Sequence, residues 1–253
     1  NRISRRPPAY HRSGNVLLNK LFWASSSTFH IGEDEAAADA NIADIAKDFA
    51  KKGKKPYLLT LSPDTKPLGA LGYIRCAGEI LDQLNNQKQS VEKIVVASGS
   101  AATHVGILLG LRLLGSEIPV HGICVRRDRN QQILRVEGIV RLAEHLIGCG
   151  KVVQNKDIKC HDDWLAPGYG KTNGLVHEAM VLAGSLEGMI VDPVYTAKSL
   201  AGAIGLYRLG VFNNSQNILY LHTGGMPALF AYEDEITEKL NEGLSIKYQN
   251  NKP

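Results

Sequence analysis

The residues best suited to chemistry lie where an apolar strand pattern gives way to a helical one. Val95 and Val96 belong to a β-branched run, and the residues from position 98 onward are small or carry a hydroxyl group. They are Ser98, Gly99, Ser100, Ala101, Ala102 and Thr103. Such residues leave backbone N–H groups uncovered and add hydroxyl donors, and the positive end of the next helix dipole lies at the same place. The segment predicts a site for an anion such as a phosphate group.

This segment matches no standard nucleotide motif. It is neither the Walker pattern nor the Gly-x-Gly-x-x-Gly fingerprint of dinucleotide-binding domains. Taken alone, it is explained equally well as a turn of small residues that lets a helix pack closely on a strand. The choice between the two interpretations depends on the rest of the chain.

Alternating strand and helix patterns predict an α/β fold around this segment. The predicted helices are 36–52, 68–84, 103–114 and 131–147, with two more after Asn173 and Tyr195. The predicted strands are 56–61, 94–97, 120–125, a segment near 151–154, and 217–222. This order indicates a parallel sheet with helices on both faces, in which ligands bind at the carboxyl ends of the strands. Because residues 98–103 and Thr223 both follow strands, we expect them to converge.

Composition and charge argue against several kinds of partner. The chain has 253 residues, 44% of them hydrophobic, and a net charge of +4 that is spread over short clusters. The densest cluster, 126–129, is interrupted by Asp128, so no nucleic-acid surface is expected. The chain contains no apolar run of membrane-spanning length and no signal peptide. We therefore expect no membrane partner and a cytoplasmic location, or an organelle if a targeting segment precedes Asn1.

The cysteines, histidines and one lysine are expected to have structural roles. The four cysteines show no metal or disulfide spacing and are predicted to be reduced, with Cys124 a buried hydrophobic residue. The histidines with expected structural or solvent roles are His104, His121, His161, His177 and His222. Adjacent residues on a strand point to opposite faces, so His161, Asp162 and Asp163 cannot converge on a metal. Lys198 is predicted to lie at the surface or to act through a neighbour.

Four further motifs extend the pattern over most of the chain. They are Pro67–Tyr73, Ala166–Gly170, Asp192–Ser199 and Leu221–Leu229. With the segment 98–103 they resemble the D-cysteine desulfhydrase and 1-aminocyclopropane-1-carboxylate deaminase family of pyridoxal-phosphate enzymes, from about Gly14 to Tyr232. The resemblance implies a tryptophan-synthase-β-like fold of type II and pyridoxal 5'-phosphate as cofactor. It also implies a small amino-acid substrate and a homodimer.

The resemblance assigns roles to individual residues. Residues 98–103 would hold the cofactor phosphate, and Thr223 would face the pyridine nitrogen, with Gly224 giving the turn its freedom. Tyr169 and Tyr195 match two tyrosines placed around the ring and the substrate, where a phenol can exchange a proton or orient a leaving group. Two core tyrosines with hydrogen-bonded hydroxyl groups, and a strand-end cap at Thr223, are the structural alternatives.

Two threonines indicate the desulfhydrase branch of the family. Deaminase-type members carry glutamate at the position of Thr196 and leucine at that of Thr223. The resemblance therefore implies a lyase that converts D-cysteine to pyruvate, hydrogen sulfide and ammonia. A 1-aminocyclopropane-1-carboxylate deaminase is the alternative within the same fold.

One family feature is missing from the chain as written. Family members carry a Gly-Gly-Asn-Lys motif, with the lysine that binds the cofactor, and a Gln-Ser-Asn-His motif, ahead of the matching region. We therefore expect that residues 1–61 are the remnant of a small α/β domain and 62–245 the large cofactor domain. Residues 246–253 are expected to be a disordered tail. This chain alone is expected to be inactive, and a non-catalytic fragment is a further alternative.

Overall fold

The computed structural model describes residues 8–26, 35–60, 66–214 and 216–250. Its helices are α1 (Asn15–Leu21), α2 (Glu35–Lys51), α3 (Lys66–Asn86), α4 (Ala102–Leu113), α5 (Arg129–Ile147), α6 (Gly174–Glu187), α7 (Thr196–Arg208) and α8 (Glu233–Asn250). Its strands are β1 (Lys93–Ser98), β2 (Val120–Cys124), β3 (Lys159–His161) and β4 (Ile218–Tyr220). Short 3-10 helices span Pro8–His11, Asn155–Asp157 and Met226–Tyr232.

The four strands form one parallel sheet in the order β3-β2-β1-β4. In β1 the apolar residues alternate between two cores. Ile94 and Val96 face a core built with α3, α4 and α5, whereas Val95 faces a core built with α6 and α7. Strand residues that point alternately to two apolar layers are typical of a sheet covered on both faces. The predicted fold class, a parallel sheet flanked by helices, is confirmed.

Helices α3 and α4 pack so closely that two glycines of α4 lie against the backbone of α3. A Cβ on Gly106 would lie 2.4 Å from the carbonyl oxygen of Ala70, and one on Gly110 would lie 2.6 Å from that of Ile74. The residues of α4 from His104 to Gly110 are completely buried between this contact and the sheet. The amino end of α4 is thereby fixed above the end of β1.

Two of the predicted strands do not form. Residues 54–60 are irregular, and Tyr57 and Leu59 are exposed by 82% and 78%. A strand needs hydrogen bonds from a partner, and no strand in the described ranges pairs with this segment. Near 151–154, the backbone N–H groups of Val152 and Val153 instead donate to Glu144 Oε1 at 2.8 Å, and the edge strand begins later, at Lys159.

Both ends of the described part of the chain contain helical segments. Residues 1–7, 61–65 and 251–253 lie outside the described residues, and with them most of the predicted domain boundary. Pro8–His11 forms a 3-10 helix in which the Tyr10 ring packs edge-on against the Tyr232 ring, with the ring centroids 6.2 Å apart. Helix α8 continues to Asn250 and so includes the first residues of the segment expected to be a tail.

Candidate active site

A cavity of about 320 Å³ opens at the carboxyl ends of β1 and β4. Its lining residues are Tyr73, Ala97, Gly99, Ser100, Ala101, Thr103, Tyr195, Thr223, Gly224 and Gly225. The volume is in the range of small-molecule and cofactor sites. The structure thus brings four residues of the 98–103 segment to one cavity with Thr223 and Gly224, because the parallel pairing of β1 with β4 ends both strands at the same edge.

The loop before α4 is open to an anion. Ala101 has φ of +77°, a left-handed conformation, and α4 starts at Ala102 with no side-chain cap and no acidic residue in its first turn. The backbone N–H groups of Ser100 to Thr103 donate to no acceptor among the described residues. Free N–H groups at a helix start carry the positive end of the helix dipole. The backbone therefore provides several donors for one negatively charged group.

Three side chains hold the carbonyl oxygens of this loop. Arg127 Nη1 and Gln132 Nε2 each donate to Gly99 O at 3.2 Å, and Arg135 Nε donates to Ser100 O at 3.2 Å. Gln132 and Arg135 belong to α5, which begins after the Asp128 cap. These bonds fix the peptide planes of the loop and place two guanidinium groups beside the anion site, where their charge favours a phosphate.

Ser98 does not take part in the way the sequence predicted. Its side chain is completely buried and does not line the cavity, because Ser98 points to the sheet face opposite Ala97. Its hydroxyl accepts from Gln132 Nε2 at 2.8 Å and lies 3.1 Å from His104 Nδ1. Ser98 and His104 therefore support the loop from inside the core. Ala102, the first residue of α4, does not line the cavity either.

The Thr223 loop is fixed by the preceding histidine. His222 Nε2 lies 2.8 Å from Ile190 O, and the Gly224 N–H donates to His222 Nδ1 at 3.3 Å. The two bonds together require the tautomer protonated on Nε2. Thr223 itself is exposed toward the cavity, and Gly224 has φ of +100°, a value that favours glycine. His222 has the structural role expected from the sequence.

Tyr169 and Tyr195 are hydrogen-bonded to each other through their hydroxyl groups. Their rings meet at 68° with centroids 6.0 Å apart, and the guanidinium of Arg126 lies 5.4 Å from the centre of the Tyr169 ring. Burial, followed by the hydrogen bond with Tyr169, raises the pKa of Tyr195 above its usual range. Tyr195 lines the cavity of about 320 Å³, whereas Tyr169 lines a neighbouring cavity of about 150 Å³ whose wall Tyr195 shares.

Thr196 lies behind the cavity wall in a buried network. Asp192 accepts hydrogen bonds from the backbone N–H groups of Val194, Tyr195 and Thr196 at 2.8 to 2.9 Å and from Thr196 Oγ1 at 2.7 Å. A carboxylate that takes the first N–H groups of a helix stabilises its start. Asp192 and Thr196 have no exposed surface. Asp192 therefore fixes the backbone that carries Tyr195.

Lys198 is not a surface residue, contrary to one of the two roles predicted for it. Its side chain has no exposed surface, and Nζ donates to Leu165 O at 3.0 Å and to Gly168 O at 2.7 Å. Burial lowers the pKa of Lys198 to about 8. The sequence predicted neither this burial nor the support from Gln132 and Arg135, whose only signal is their position on a helix 30 residues beyond the loop. Asp192 has a clearer signal, an Asp-Pro pair shortly before a helix.

The other histidines and cysteines form no metal centre in the part of the chain that the structure describes. His121 Nδ1 lies 3.0 Å from His161 Nε2 and the two rings are stacked. Burial lowers the pKa of His121 to about 3, and the pKa of His161 is lowered for the same first reason. Cys124 is completely buried and, like the other three cysteines, forms no disulfide. Within the described residues, no helix is both long enough and apolar enough to cross a bilayer.

The family model for "Pyridoxal-phosphate dependent enzyme" matches residues 8–224. The chain belongs to this family. It is 36% identical to the D-cysteine desulfhydrases of Salmonella paratyphi C (strain RKS4594) and Salmonella choleraesuis (strain SC-B67) over 236 residues, which cover 93% of this chain and 70% of each relative. A crystal structure of an "ACC deaminase homologue" superimposes with a TM-score of 0.77 at 32% identity, over 90% of this chain and 66% of that one. The chain therefore spans about two thirds of the length of these proteins.

The cofactor of this family, pyridoxal phosphate, fits the cavity described above. The group needs donors for its phosphate, room for a planar ring and a partner for the ring nitrogen. The N–H groups of residues 100–103 meet the first need. A Cβ on Gly99 would lie 3.0 Å from Val125 and 3.8 Å from Tyr195, so glycine keeps the wall of the cavity clear. Thr223 lines the same cavity with a neutral hydroxyl group.

Proposed function

We propose that the chain belongs to a D-cysteine desulfhydrase-type lyase, which converts D-cysteine and water to pyruvate, hydrogen sulfide and ammonia. The observation that carries the proposal is the buried Thr196, whose hydroxyl is bonded to Asp192. A glutamate at this position, as in deaminase-type members, would bring a second carboxylate into a buried space next to the first. The two Salmonella relatives named D-cysteine desulfhydrase support the same branch.

In this proposal the chain contacts the cofactor at its phosphate group and at its pyridine ring. The N–H groups of Ser100 to Thr103 bind the phosphate, and the Thr223 hydroxyl is the neutral partner of the ring nitrogen. When bound, pyridoxal phosphate supplies an electron sink for the negative charge that develops at the substrate α-carbon. A neutral partner moderates this sink, which suits elimination of a good leaving group such as a thiolate.

The tyrosine pair would hold a proton next to the substrate. A phenol is protonated at neutral pH, and the raised pKa of Tyr195 makes loss of its proton still harder, so its hydroxyl group serves as a hydrogen-bond donor rather than as a base. Tyr169 and Arg126 lie behind it and fix its direction. The proposed role of the pair is to orient the departing sulfur.

Cofactor binding can be tested on this chain directly. No lysine of the described residues lines the cavity, so we expect the chain to bind pyridoxal phosphate reversibly, with dialysis removing it and borohydride attaching it to no lysine. Inorganic phosphate should compete. Arg135→Ala should weaken binding several-fold, and Arg75→Ala, on an exposed face of α3, is the matched control. Attachment to one specific lysine after borohydride treatment would contradict this part of the proposal.

The substrate can be tested in a chimera. The segment of a Salmonella D-cysteine desulfhydrase that has no counterpart in this chain would be joined to it, and sulfide release from D-cysteine compared with opening of 1-aminocyclopropane-1-carboxylate. We expect D-cysteine to be the better substrate, and faster opening of the cyclopropane would assign the chain to the deaminase branch. An inactive chimera with bound cofactor would favour a non-catalytic protein.

Sedimentation of the same sample tests the proposed homodimer, and fractionation of cells tests the proposed cytoplasmic location.

A further inference from the structure

One cation is buried next to the tyrosine pair without an acidic partner. Lys198 has the largest side chain among those that are completely buried. Its two acceptors are the carbonyl oxygens of Leu165 and Gly168, and no carboxylate of the described residues forms an ion pair with it. Burying an ammonium group is costly, so a lysine at such a site has to be compensated by well-placed oxygens. The compensation here comes from one loop.

The same two carbonyl oxygens also close the turns of that loop. Leu165 O accepts from the Gly168 N–H at 2.9 Å, and Gly168 O accepts from the Lys171 N–H at 3.3 Å. The ammonium group therefore joins two consecutive turns. Tyr169 lies in the second turn, one residue after the carbonyl that receives the shorter bond from Lys198.

The other tyrosine is attached to the same lysine through a helix. Tyr195 immediately precedes α7, and Lys198 follows it by three residues, within the first turn of that helix. The backbone of this turn is fixed by Asp192. Lys198 thus connects the element that carries Tyr195 with the loop that carries Tyr169.

We propose that Lys198 is a positioning residue that holds the 165–171 loop on α7 and so keeps the Tyr169 hydroxyl on that of Tyr195. The importance of this positioning for catalysis rests on the proposed function. The hydrogen bonds of Lys198 themselves are present in the chain without cofactor. A neighbouring bond provides a comparison, because the neutral hydroxyl group of Tyr232 donates to Gly170 O, in the same loop, at 2.7 Å.

Hydrogen exchange on the cofactor-free chain tests the first half of this proposal. In Lys198→Met we expect the N–H groups of Gly168 and Lys171 to exchange at least tenfold faster, while those of β1 and the later turns of α7 change less than twofold. Tyr232→Phe is the matched control and should leave Gly168 unchanged. Lys198→Gln, which keeps an uncharged donor on a shorter side chain, should lie between the wild type and Lys198→Met.

Unchanged exchange at Gly168 and Lys171 in a folded variant would overturn the proposal. Unfolding of both Lys198 variants would overturn it as well, because the lysine would then be needed by the whole fold rather than by one loop. Neither outcome depends on turnover of D-cysteine. A failure of the proposed function therefore remains distinguishable from a failure of the positioning role.

A fluorine spectrum tests the second half. The chain is labelled with 3-fluorotyrosine, and the resonance of Tyr169 is identified by its loss in Tyr169→Phe. In the wild type, Tyr195→Phe should shift this resonance because the hydroxyl contact is lost. In Lys198→Met the resonance should already be shifted, and adding Tyr195→Phe should have no further effect. If Tyr195→Phe shifts the Tyr169 resonance as much in Lys198→Met as in the wild type, the lysine does not position Tyr169.

Discussion

Asp192 and Thr196 are joined by two hydrogen bonds of 2.7 Å at the start of α7. Thr196 Oγ1 donates to Asp192 Oδ1 and accepts from the Asp192 backbone N–H. Thr196, the residue that we propose as a marker of the desulfhydrase branch, therefore supports the start of a helix and directly follows Tyr195. Substitution of Thr196 should act on stability before it acts on substrate choice.

Thr196→Val should lower the free energy of unfolding by about 1–3 kcal/mol, because the buried Asp192 N–H loses its acceptor. Thr196→Ser keeps the hydroxyl group and is the matched control, with a smaller loss expected. Urea unfolding of the two variants gives the comparison. Equal stability of the valine and serine variants would show that the network contributes nothing.

Gly106→Ala should destabilise the chain by about 1–3 kcal/mol or more, because the new Cβ would overlap the backbone of α3 at 2.4 Å. Gly138→Ala is the matched control on α5, where a Cβ meets no atom within 4 Å. It should stabilise the helix by up to about 1 kcal/mol, since alanine has the higher helix propensity. Thermal unfolding of both variants measures the difference, and a neutral Gly106→Ala would contradict the close approach of α3 and α4.

As the pH falls below the usual pKa of histidine, the free energy of unfolding of the chain should decrease. His121 should contribute to this decrease. The folded chain holds the pKa of His121 at about 3, against 6.5 for an unperturbed histidine. Between these values only the unfolded chain binds the proton, so stability is present above pH 6.5 and decreases as the pH falls toward 3. One such group contributes at most about 1.4 kcal/mol per pH unit.

Urea unfolding of His121→Phe at pH 7 and pH 5 tests this expectation. The variant should lose less stability over this interval than the wild type. His145→Asn, on the exposed side of α5, should behave like the wild type. Identical pH dependence in the wild type and His121→Phe would show that His121 keeps its ordinary pKa in the folded chain.

Lys198 should make the free energy of unfolding depend on pH in the alkaline range. Its pKa is about 8 in the folded chain and 10.5 when unperturbed, and burial is the cause of the shift. Between these values only the unfolded chain binds the proton, so the wild type should gain stability relative to Lys198→Met as the pH rises from 8 to 10. The difference in unfolding free energy between the two proteins, measured at pH 7.5 and 9.5, checks the sign. A constant difference would mean that Lys198 keeps its ordinary pKa.

The sheet and its helices were predictable because their residues repeat at regular spacing. Helices α3, α4 and α5 begin and end within two residues of the predicted bounds. Strands β2 and β4 lie inside predicted strands, and β1 extends a predicted strand by one residue at each end. The segments that failed, 56–61 and 151–154, are short apolar runs. Such a run becomes a strand only when a partner strand is available, and a local pattern contains no information about that partner.

The site was predictable only in part, and for a related reason. Residues 99–103 and Thr223 follow strands of one parallel sheet, so topology alone brings them together. The direction of each side chain depends on the strand register, and for that reason Ser98 points into the core and bonds Gln132. The burial of Lys198 depends on a loop 30 residues away in sequence, which no local pattern reveals.

The pairing of β1 with β4 also determines when the site can exist during folding. Glu92 and Asn217, which lead into these strands, are hydrogen-bonded although 125 residues separate them. A growing chain that has not reached Ile218 contains the 98–103 segment but lacks the wall formed by Thr223 and Gly224. Closing a loop of this length has a large entropic cost, so we expect this pairing to form after the local helices. Capture of the cofactor by both walls therefore marks the completion of the sheet, and a chain that has only collapsed should not retain it.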